Sequence, residues 1–178
     1  MLKLRAFTKS DAETIAEWIT DERMCYLWSA DRYGHYPVTA TDINIMYAGS
    51  EKDGDFYPLM AYDDEDGLIG HLIIRYPSPE DRTTVRFGFI IINYLKRGRG
   101  YGGKMLREAF RFAFDKLGAE RITLGVFQNN TPAILCYLKA GFHKPTDPDV
   151  PEFYKVPIMG DEWICCNLEI NKSDILQE

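Results

Sequence analysis

Glycine and basic side chains are concentrated in one short stretch, Asn93–Leu106, which reads NYLKRGRGYGGKML. Four glycines and four basic residues, Lys96, Arg97, Arg99 and Lys104, lie here between a run of isoleucines and a helical pattern. Glycine lets backbone N–H groups converge on an anion without a Cβ in the way, and a helix N-terminus adds about half a positive charge. The stretch is therefore predicted to bind a ligand that carries two or more phosphates.

Two nucleotide-binding patterns match this stretch incompletely. The P-loop, G-x-x-x-x-G-K-[ST], fits Gly98, Gly103 and Lys104, but Met105 stands where a hydroxyl is needed to hold magnesium. The dinucleotide pattern G-x-G-x-x-G fits Gly98, Gly100 and Gly103, but the next strand ends in GVFQNN, without the acid that binds a ribose. An atypical nucleotide-binding protein that uses Lys104 is kept as a minor alternative.

A third pattern, Arg/Gln-x-x-Gly-x-Gly/Ala, fits Arg97, Gly100 and Gly102, and a second motif follows downstream in VFQNNTPAILCYLKAGF. The second motif has the form Val-x-x-x-Asn-x-x-Ala-x-x-x-Tyr-x-Lys-x-Gly-Phe and consists of Val126, Asn130, Ala133, Tyr137, Lys139, Gly141 and Phe142. In this order, the two motifs resemble those of the GCN5-related N-acetyltransferase (GNAT) family. The resemblance is strongest over residues 56–144 and leans towards the ribosomal-protein N-acetyltransferase-like branch.

The resemblance implies a fold, a co-substrate and a reaction. The fold is an α/β (α+β) domain with a mixed, mostly antiparallel sheet of about seven strands, about four flanking helices and a splay between strands 4 and 5. Residues 1–178 are expected to form a single acetyltransferase domain, with residues 56–144 as its acetyl-CoA-binding core. The implied reaction moves an acetyl group from acetyl-CoA to a primary amine of a peptide N-terminus, lysine, polyamine or other small molecule. The amine would attack directly in a ternary complex.

The resemblance also assigns roles to residues of the acetyl-CoA site. Backbone groups of Ile90, Ile91 and Ile92 would pair with the pantetheine arm as though it were an extra strand, and an N–H near Ile92 would stabilise the oxyanion. Tyr137 would be the catalytic general acid, with an ordinary phenol pKa of about 10, and would protonate the departing thiolate. The other cofactor-binding candidates are Arg97, Gly98, Arg99, Gly100, Tyr101, Gly102, Gly103, Asn130 and Ala133.

The acceptor side leaves alternatives open. Many GNAT members carry a glutamate on the fourth strand that takes the proton of the amine, but here the strand reads TVRFGFIII. Water, Glu22 or Asp31 would have to take that role. A non-catalytic CoA- or acyl-CoA-binding sensor module is the main alternative to an enzyme for the same reason, although the intact Tyr137 favours the enzyme. Four aromatic residues either line the acceptor pocket or pack in the core: Tyr26, Trp28, Tyr33 and Tyr36.

Residue patterns predict the elements that hold these residues. Strands are expected at 1–7, 55–62, 67–76, 83–92, 120–127 and 162–170. Helices are expected from Ser10, where SDAE resembles a capping box, from about Asp42, from Gly100 and after a cap at Thr131. The segment between the first two helices reads as a loop, and DDEDG at 63–67 reads as a solvated hairpin turn.

Composition limits the classes of function. The chain has 178 residues and a net charge of −6, which disfavours general nucleic-acid binding and favours a cationic acceptor. No apolar run approaches the ~20 residues of a membrane span, so we expect a cytoplasmic protein with reduced cysteines, either a monomer or a homodimer. No metal site is expected, and His35, His71 and His143 are expected to be structural or exposed.

Overall fold

The computed structural model describes residues 1–50 and 54–175. Within them the strands are β1 (Lys3–Ala6), β2 (Phe56–Asp63), β3 (Gly67–Arg75), β4 (Thr84–Ile92), β5 (Arg121–Phe127), β6 (Phe153–Ile158) and β7 (Asp161–Asn171). The helices are α1 (Asp11–Trp18), α2 (Glu22–Ser29), α3 (Ala40–Ser50), α4 (Tyr101–Arg111), α5 (Thr131–Lys139) and α6 (Lys172–Ile175). A 3₁₀ turn at Tyr94–Lys96 precedes α4, and a π-helical turn at Phe112–Lys116 continues it.

The strands form one mixed sheet in the order β1-β2-β3-β4-β5-β7-β6. All neighbouring pairs are antiparallel except β4 and β5, which are parallel. The β4–β5 pairing covers Thr84↔Arg121, Val85↔Ile122 and Arg86↔Thr123 and then stops, although both strands continue. The sheet therefore splays apart between its fourth and fifth strands, which confirms the expected topology.

A bulge in β4 changes which side chains face each side of the sheet. Phe89 has φ 46°, and the β3–β4 register shifts between His71 and Ile73. Before the bulge, Val85 and Phe87 pack in the core that contains α4. After it, Phe89 and Ile91 pack in the core that contains α1, α2 and α3, because a shift of one residue moves every later side chain to the other face.

Each face of the sheet carries its own hydrophobic core. The α4 and α5 side includes Met105, Leu106 and Tyr137, and the α1–α3 side includes Ile15 and Ile43. His71 is fully buried on the second side, where its ring nitrogens meet the Tyr47 hydroxyl at 2.7 Å and the Leu59 carbonyl oxygen at 3.0 Å. This histidine is structural, as expected.

Three expectations about elements were wrong. The segment expected to be a loop contains α2, whose start is capped by the Asp21 carboxylate accepting from the Met24 N–H at 2.8 Å. Ser10 is the N-cap of α1 as expected, but its side chain makes no capping hydrogen bond; the Asp11 carboxylate instead accepts from the Thr8 N–H at 2.7 Å. The edge strand β6 was also missed, because it is largely exposed and contains a proline. The described residues hold six α-helices, of which α2 and α6 are short.

Candidate active site

A cleft of ≈ 900 Å³ lies between the end of β4, the helices α4 and α5, and one side of α2. Its position beside the splay matches the sequence prediction. Most of the predicted residues line it, namely Ile90, Ile91, Ile92, Arg97, Gly98, Gly100, Tyr101, Gly102, Gly103, Asn130, Ala133 and Tyr137. The two sequence motifs are therefore brought to one site, although they lie on different helices.

Glycines shape the start of α4 at the cleft wall. Gly100 is the N-cap and has φ 76°, a left-handed conformation that side chains with a Cβ rarely adopt. A Cβ on Gly102 would lie 2.9 Å from the Cys136 sulfur of α5, so this glycine permits close contact of the two helices. The first N–H groups of α4 have no intrahelical acceptor, and a helix start of this kind can bind an anion.

The charged residues that line the cleft are all basic, and no aspartate or glutamate of the described residues joins them. In a chain with a net charge of −6, this separation of charge marks an anion site. The six basic residues are Arg23, Lys96, Arg97, Lys104, Arg107 and Lys139. Sequence reasoning missed Arg23 and Arg107 because they lie outside both motifs and reach the cleft through the packing of α2 and α4.

Arg97 and Arg99 have different surroundings. Arg97 lines the cleft, donates from Nε to the Ile92 carbonyl oxygen at 3.3 Å, and forms no ion pair with a described carboxylate; burial lowers its pKa. Arg99 lies outside the cleft lining and contacts Asp66 at 3.4 Å. The Tyr101 hydroxyl also donates to Asp66, and this bond, with Arg99 and Lys96, lowers the pKa of the Asp66 carboxyl. The acidic hairpin expected to be solvated is thus attached to the glycine loop.

Tyr137 lies at the inner wall of the cleft with 7% of its surface exposed. Its ring contacts Phe142 edge to face at 5.9 Å. Burial raises the pKa of this phenol well above its ordinary value, which differs from the ordinary pKa expected from sequence. The hydroxyl therefore keeps its proton throughout the neutral and mildly alkaline range, and it can donate a hydrogen bond into the cleft.

Asn130 is the N-cap of α5, whereas the sequence pattern predicts Thr131 as the cap. The Asn130 side chain makes no capping hydrogen bond, although a helix start with an asparagine commonly has one. Pro132 in the first turn supplies no N–H and reduces the need for a cap. The Asn130 amide, which lines the cleft, is therefore available to a ligand.

A second cavity of ≈ 120 Å³ lies on the α2 side of the splay. Residues of both separated strands line it, including Gly88 of β4 and Gly125 of β5. Leu27 and Trp28 line both cavities, so the small cavity adjoins the large cleft through the splay.

Only one of the four aromatic candidates lines a cavity. Trp28 lines both, whereas Tyr33 is packed beneath it, with ring centroids 5.7 Å apart and planes 10° apart. Tyr36 packs with the α1–α3 core, and Tyr26 packs against the separate cluster of Phe127, Ile158 and Cys165. Tyr26, Tyr33 and Tyr36 thus pack against neighbouring hydrophobic residues and line neither of the two cavities.

Acidic residues are absent from both cavities within the part of the chain that the structure describes. Glu22 and Asp31, the candidates for a base, are exposed and line neither cavity. Among the described residues, no group of three or more His, Cys, Asp or Glu side chains is arranged to hold a metal ion. No described helix has the length and apolar character that crossing a membrane requires.

Comparison with known proteins assigns the chain to a family. Residues 1–143 match the acetyltransferase (GNAT) domain, and the chain belongs to this family. It is an acetyltransferase enzyme that uses acetyl-CoA. The acid-free basic cleft at the splay fits this co-substrate, because CoA carries several phosphate charges at one end and an extended amide arm at the other.

Individual relatives show how far the likeness extends. An L-amino acid N-acetyltransferase of Escherichia coli (strain K12) is 34% identical over 75 residues, which is 42% of this chain and 46% of that protein, so the match spans less than half of the relative. The spermidine N-acetyltransferase of Vibrio cholerae, solved with CoA and spermine, has a TM-score of 0.79 at 20% identity and 98% coverage of both chains. A putative phosphinothricin N-acetyltransferase has a TM-score of 0.74 at 21% identity, over 96% of this chain and 98% of that one. The two structures establish likeness of fold alone.

Proposed function

We propose that the protein transfers the acetyl group of acetyl-CoA to a primary amine by direct attack while both substrates are bound. The observation that carries the proposal is the cleft at the splay, in which every charged lining residue is basic and the buried Tyr137 hydroxyl is available. The named relatives act on amino acids or polyamines, which are both amines. We further propose that residues 1–178 act as one domain, either as a monomer or as a homodimer.

The phosphates of CoA would bind at the glycine loop and the first turn of α4. Free N–H groups from Gly98 to Gly103, with Arg97 and Lys104, supply donors and charge at the positive end of the helix dipole. Asn130 and Ala133 of α5 would contact the other side of the ligand. Arg99 is better described as a residue that positions the loop, since it contacts Asp66 outside the cleft.

The pantetheine arm would lie along the end of β4. Beyond Arg86, β4 has no strand partner on its β5 side, so backbone groups of Ile90, Ile91 and Ile92 can pair with the amides of the arm. This pairing would direct the thioester towards the splay. A backbone N–H near Ile92 would then donate to the carbonyl oxygen of the acetyl group as negative charge develops there.

Tyr137 would act on the departing sulfur. Its raised pKa keeps the proton on the phenol oxygen. For the same reason, donating a hydrogen bond to the sulfur is more favourable than transferring the proton completely to the thiolate. The main contribution of Tyr137 is thus stabilisation of negative charge on sulfur in the transition state. With no acid in either cavity of the described residues, water would carry the proton of the amine away.

The test is release of free thiol from acetyl-CoA across a panel of amino acids, polyamines, peptides and aminoglycosides, with CoA affinity measured by calorimetry. Tyr137→Phe should lower kcat by about 100-fold or more while CoA affinity changes by less than about 2-fold, because the ring is kept and only the hydroxyl is lost. The control is Tyr94→Phe, since Tyr94 is 44% exposed and outside the cleft lining.

Two outcomes would contradict the proposal at different points. An unchanged kcat in Tyr137→Phe would remove the role of Tyr137 and leave acetyl transfer standing. Absence of both CoA binding and thiol release would refute the function itself and reopen the nucleotide-binding alternative, which tight binding of magnesium-ATP would support.

A further inference from the structure

Two arginines stand directly opposite each other on neighbouring strands at the acceptor side of the splay. Arg75 of β3 and Arg86 of β4 are register partners in the antiparallel pair, so their side chains share one face of the sheet. Both are half-buried, and both line the small cavity, with the exposed Arg32 at its edge. Like charges directly opposite across a strand pair destabilise a sheet, so the arrangement calls for a reason beyond folding.

The described residues provide no counter-charge for this group of arginines. Arg32, Arg75 and Arg86 form no ion pair with a described carboxylate, although many other basic residues of the chain do. Burial lowers the pKa of Arg75, and the neighbouring Arg86 and Arg32 lower it further. A half-buried cationic group without a partner is a binding site for an anion.

The cavity around the arginines is built to keep the Arg86 guanidinium in place. Its Nη1 donates weakly to the Thr123 hydroxyl at 3.5 Å, and its Nη2 lies 2.8 Å from where a Cβ on Gly125 would be. Glycine at 125 therefore makes room for the guanidinium between the separated strands. The cavity volume of ≈ 120 Å³ leaves room for a small group such as a carboxylate.

Trp28 provides a second, independent observation. Its Nε1 is buried and has no hydrogen-bond partner among the described residues, while the side chain lines both cavities. An indole N–H can only donate, so a ligand that satisfies it must present an acceptor atom. The indole N–H and the arginines thus both favour a ligand with acceptor atoms, which a carboxylate has and an ammonium lacks.

We propose that the acceptor is an amine that also carries an anionic group, such as a carboxylate or a phosphonate, and that Arg75 and Arg86 hold this group in the small cavity. The proposal rests on acetyl transfer to an amine and specifies the class of acceptor. It replaces the expectation of a cationic acceptor that the net charge suggested, because three local arginines outweigh distant surface acids that water and salt screen. The α-amino acids are the simplest members of the class.

The same arginines account for the missing base. Positive charge close to a bound amine disfavours its ammonium form and so lowers its pKa. An acceptor held by its anionic end beside Arg75 and Arg86 would lose its proton to water more readily than the same amine in solution. A carboxylate base in the cavity would instead pair with these arginines and compete with the anionic group of the acceptor.

The test uses acceptors that differ only in the anionic group. The common L-amino acids are compared with their carboxamides and with the amines that remain without the carboxyl group, in the presence of acetyl-CoA. L-alanine is compared with 1-aminoethylphosphonate to distinguish the two anions. The carboxamide has the lower amine pKa, since it lacks the neighbouring negative charge, so a preference for the acid cannot come from amine reactivity.

Variants assign the preference to the arginines. Arg86→Gln and Arg75→Gln should each raise KM for the anionic acceptor by about 30-fold or more and change KM for its carboxamide by less than about 3-fold. Arg86→Lys should recover part of the loss by keeping the charge. The control is Arg111→Gln, because Arg111 is exposed on α4 and pairs only with Glu108 among the described carboxylates. CoA calorimetry and thermal melting show that each variant is folded.

The outcomes separate this inference from the proposed function. Preference for carboxamides or polyamines over anionic acceptors overturns the inference and leaves acetyl transfer standing. Thiol release from no amine at all would count against the proposed function. In that case, calorimetry of the same matched pairs with CoA-saturated protein still decides the inference. Binding of the anionic acceptor by the wild type, together with loss of that binding in Arg86→Gln, supports the inference. Any other result overturns it.

Discussion

At the scale of single residues, burial shifts the pKa values of two side chains on opposite faces of the sheet. Tyr137 is buried beside the cleft, and burial raises the pKa of its phenol so that the neutral, proton-bearing form persists. His71 is buried in the opposite core, and burial lowers its pKa to about 3 so that the neutral ring persists. In both cases the cost of placing charge in an apolar interior selects the neutral form. Of the two, only the tyrosine lines the cleft.

His71 should make the stability of the whole protein depend on pH. Its pKa is lowered on folding, so its contribution is present above the unfolded pKa of about 6.5 and is lost as pH falls towards 3. Between pH 7.5 and 5 this single group should reduce the free energy of unfolding by about 2 kcal/mol. Urea denaturation across this range should show this loss as the difference between the wild type and His71→Asn, because the other titrating groups are common to both proteins.

The control for this prediction is His35→Asn, since His35 is exposed. In that variant His71 is unchanged, so the decrease due to His71 should persist. Equal pH dependence in the wild type and His71→Asn would show that another group takes up the proton.

At the scale of elements, the contact between α4 and α5 sets the position of the two motifs. Gly102 of α4 faces Cys136 of α5, and the residue after Cys136 is Tyr137. The Cys136 thiol also lines the cleft, although helical spacing predicts that it faces away from Tyr137; burial raises its pKa, so it stays a neutral thiol. Glycine at 102 is thus a requirement of helix packing, apart from its proposed part in phosphate binding.

Gly102→Ala should disturb this contact. The added Cβ would lie 2.9 Å from the Cys136 sulfur, and the strain of about 1–3 kcal/mol should exceed the gain in helix propensity of about 1 kcal/mol. Thermal melting and thiol release should both show a loss. In the double variant Gly102→Ala/Cys136→Ala the contact is relieved, so stability should return to or above that of Cys136→Ala alone.

The double variant is the informative measurement. Additive losses from the two substitutions would mean that the helices are not in contact at this point. Recovery of stability without recovery of CoA binding would mean instead that a Cβ at 102 obstructs the phosphate.

At the scale of the whole molecule, charge is separated between the surface and the site. The chain has a net charge of −6, yet the charged residues of the cleft are basic, as are those of the small cavity in the described part of the chain. Acidic residues elsewhere repel anions from other surfaces. Anionic ligands are therefore attracted to the cleft and the adjoining small cavity of a molecule that repels them in general.

CoA affinity should fall as salt rises. Between 50 and 500 mM NaCl we expect Kd for CoA to increase by about 10-fold, because ions screen the basic residues around the cleft. Lys104→Gln should have a shallower dependence on salt, since Lys104 lines the cleft. Lys116→Gln serves as the control, because Lys116 lies outside the lining. An affinity independent of salt in calorimetric titrations would contradict the assignment of the cleft as a phosphate site.

The sequence by itself determined the parts of this protein that depend on neighbouring residues. The glycine loop and the α5 motif have local spacings, and these spacings alone indicated the family, the phosphate site and Tyr137. The central strands were also predicted, because their apolar runs are long enough to be distinctive. The short, aromatic-rich α2 and the exposed β6 lacked such signals and were missed.

Tertiary structure decided what depends on residues far apart in the chain. The pairing that stops after Arg86 and Thr123 creates the splay, and the register of β3 and β4 brings Arg75 opposite Arg86. Packing of α2 also decided that Trp28, and not the nearby tyrosines, reaches the cavities. Strand register and helix packing arise from many distant contacts, so no local pattern in the sequence encodes the arginine pair at the small cavity.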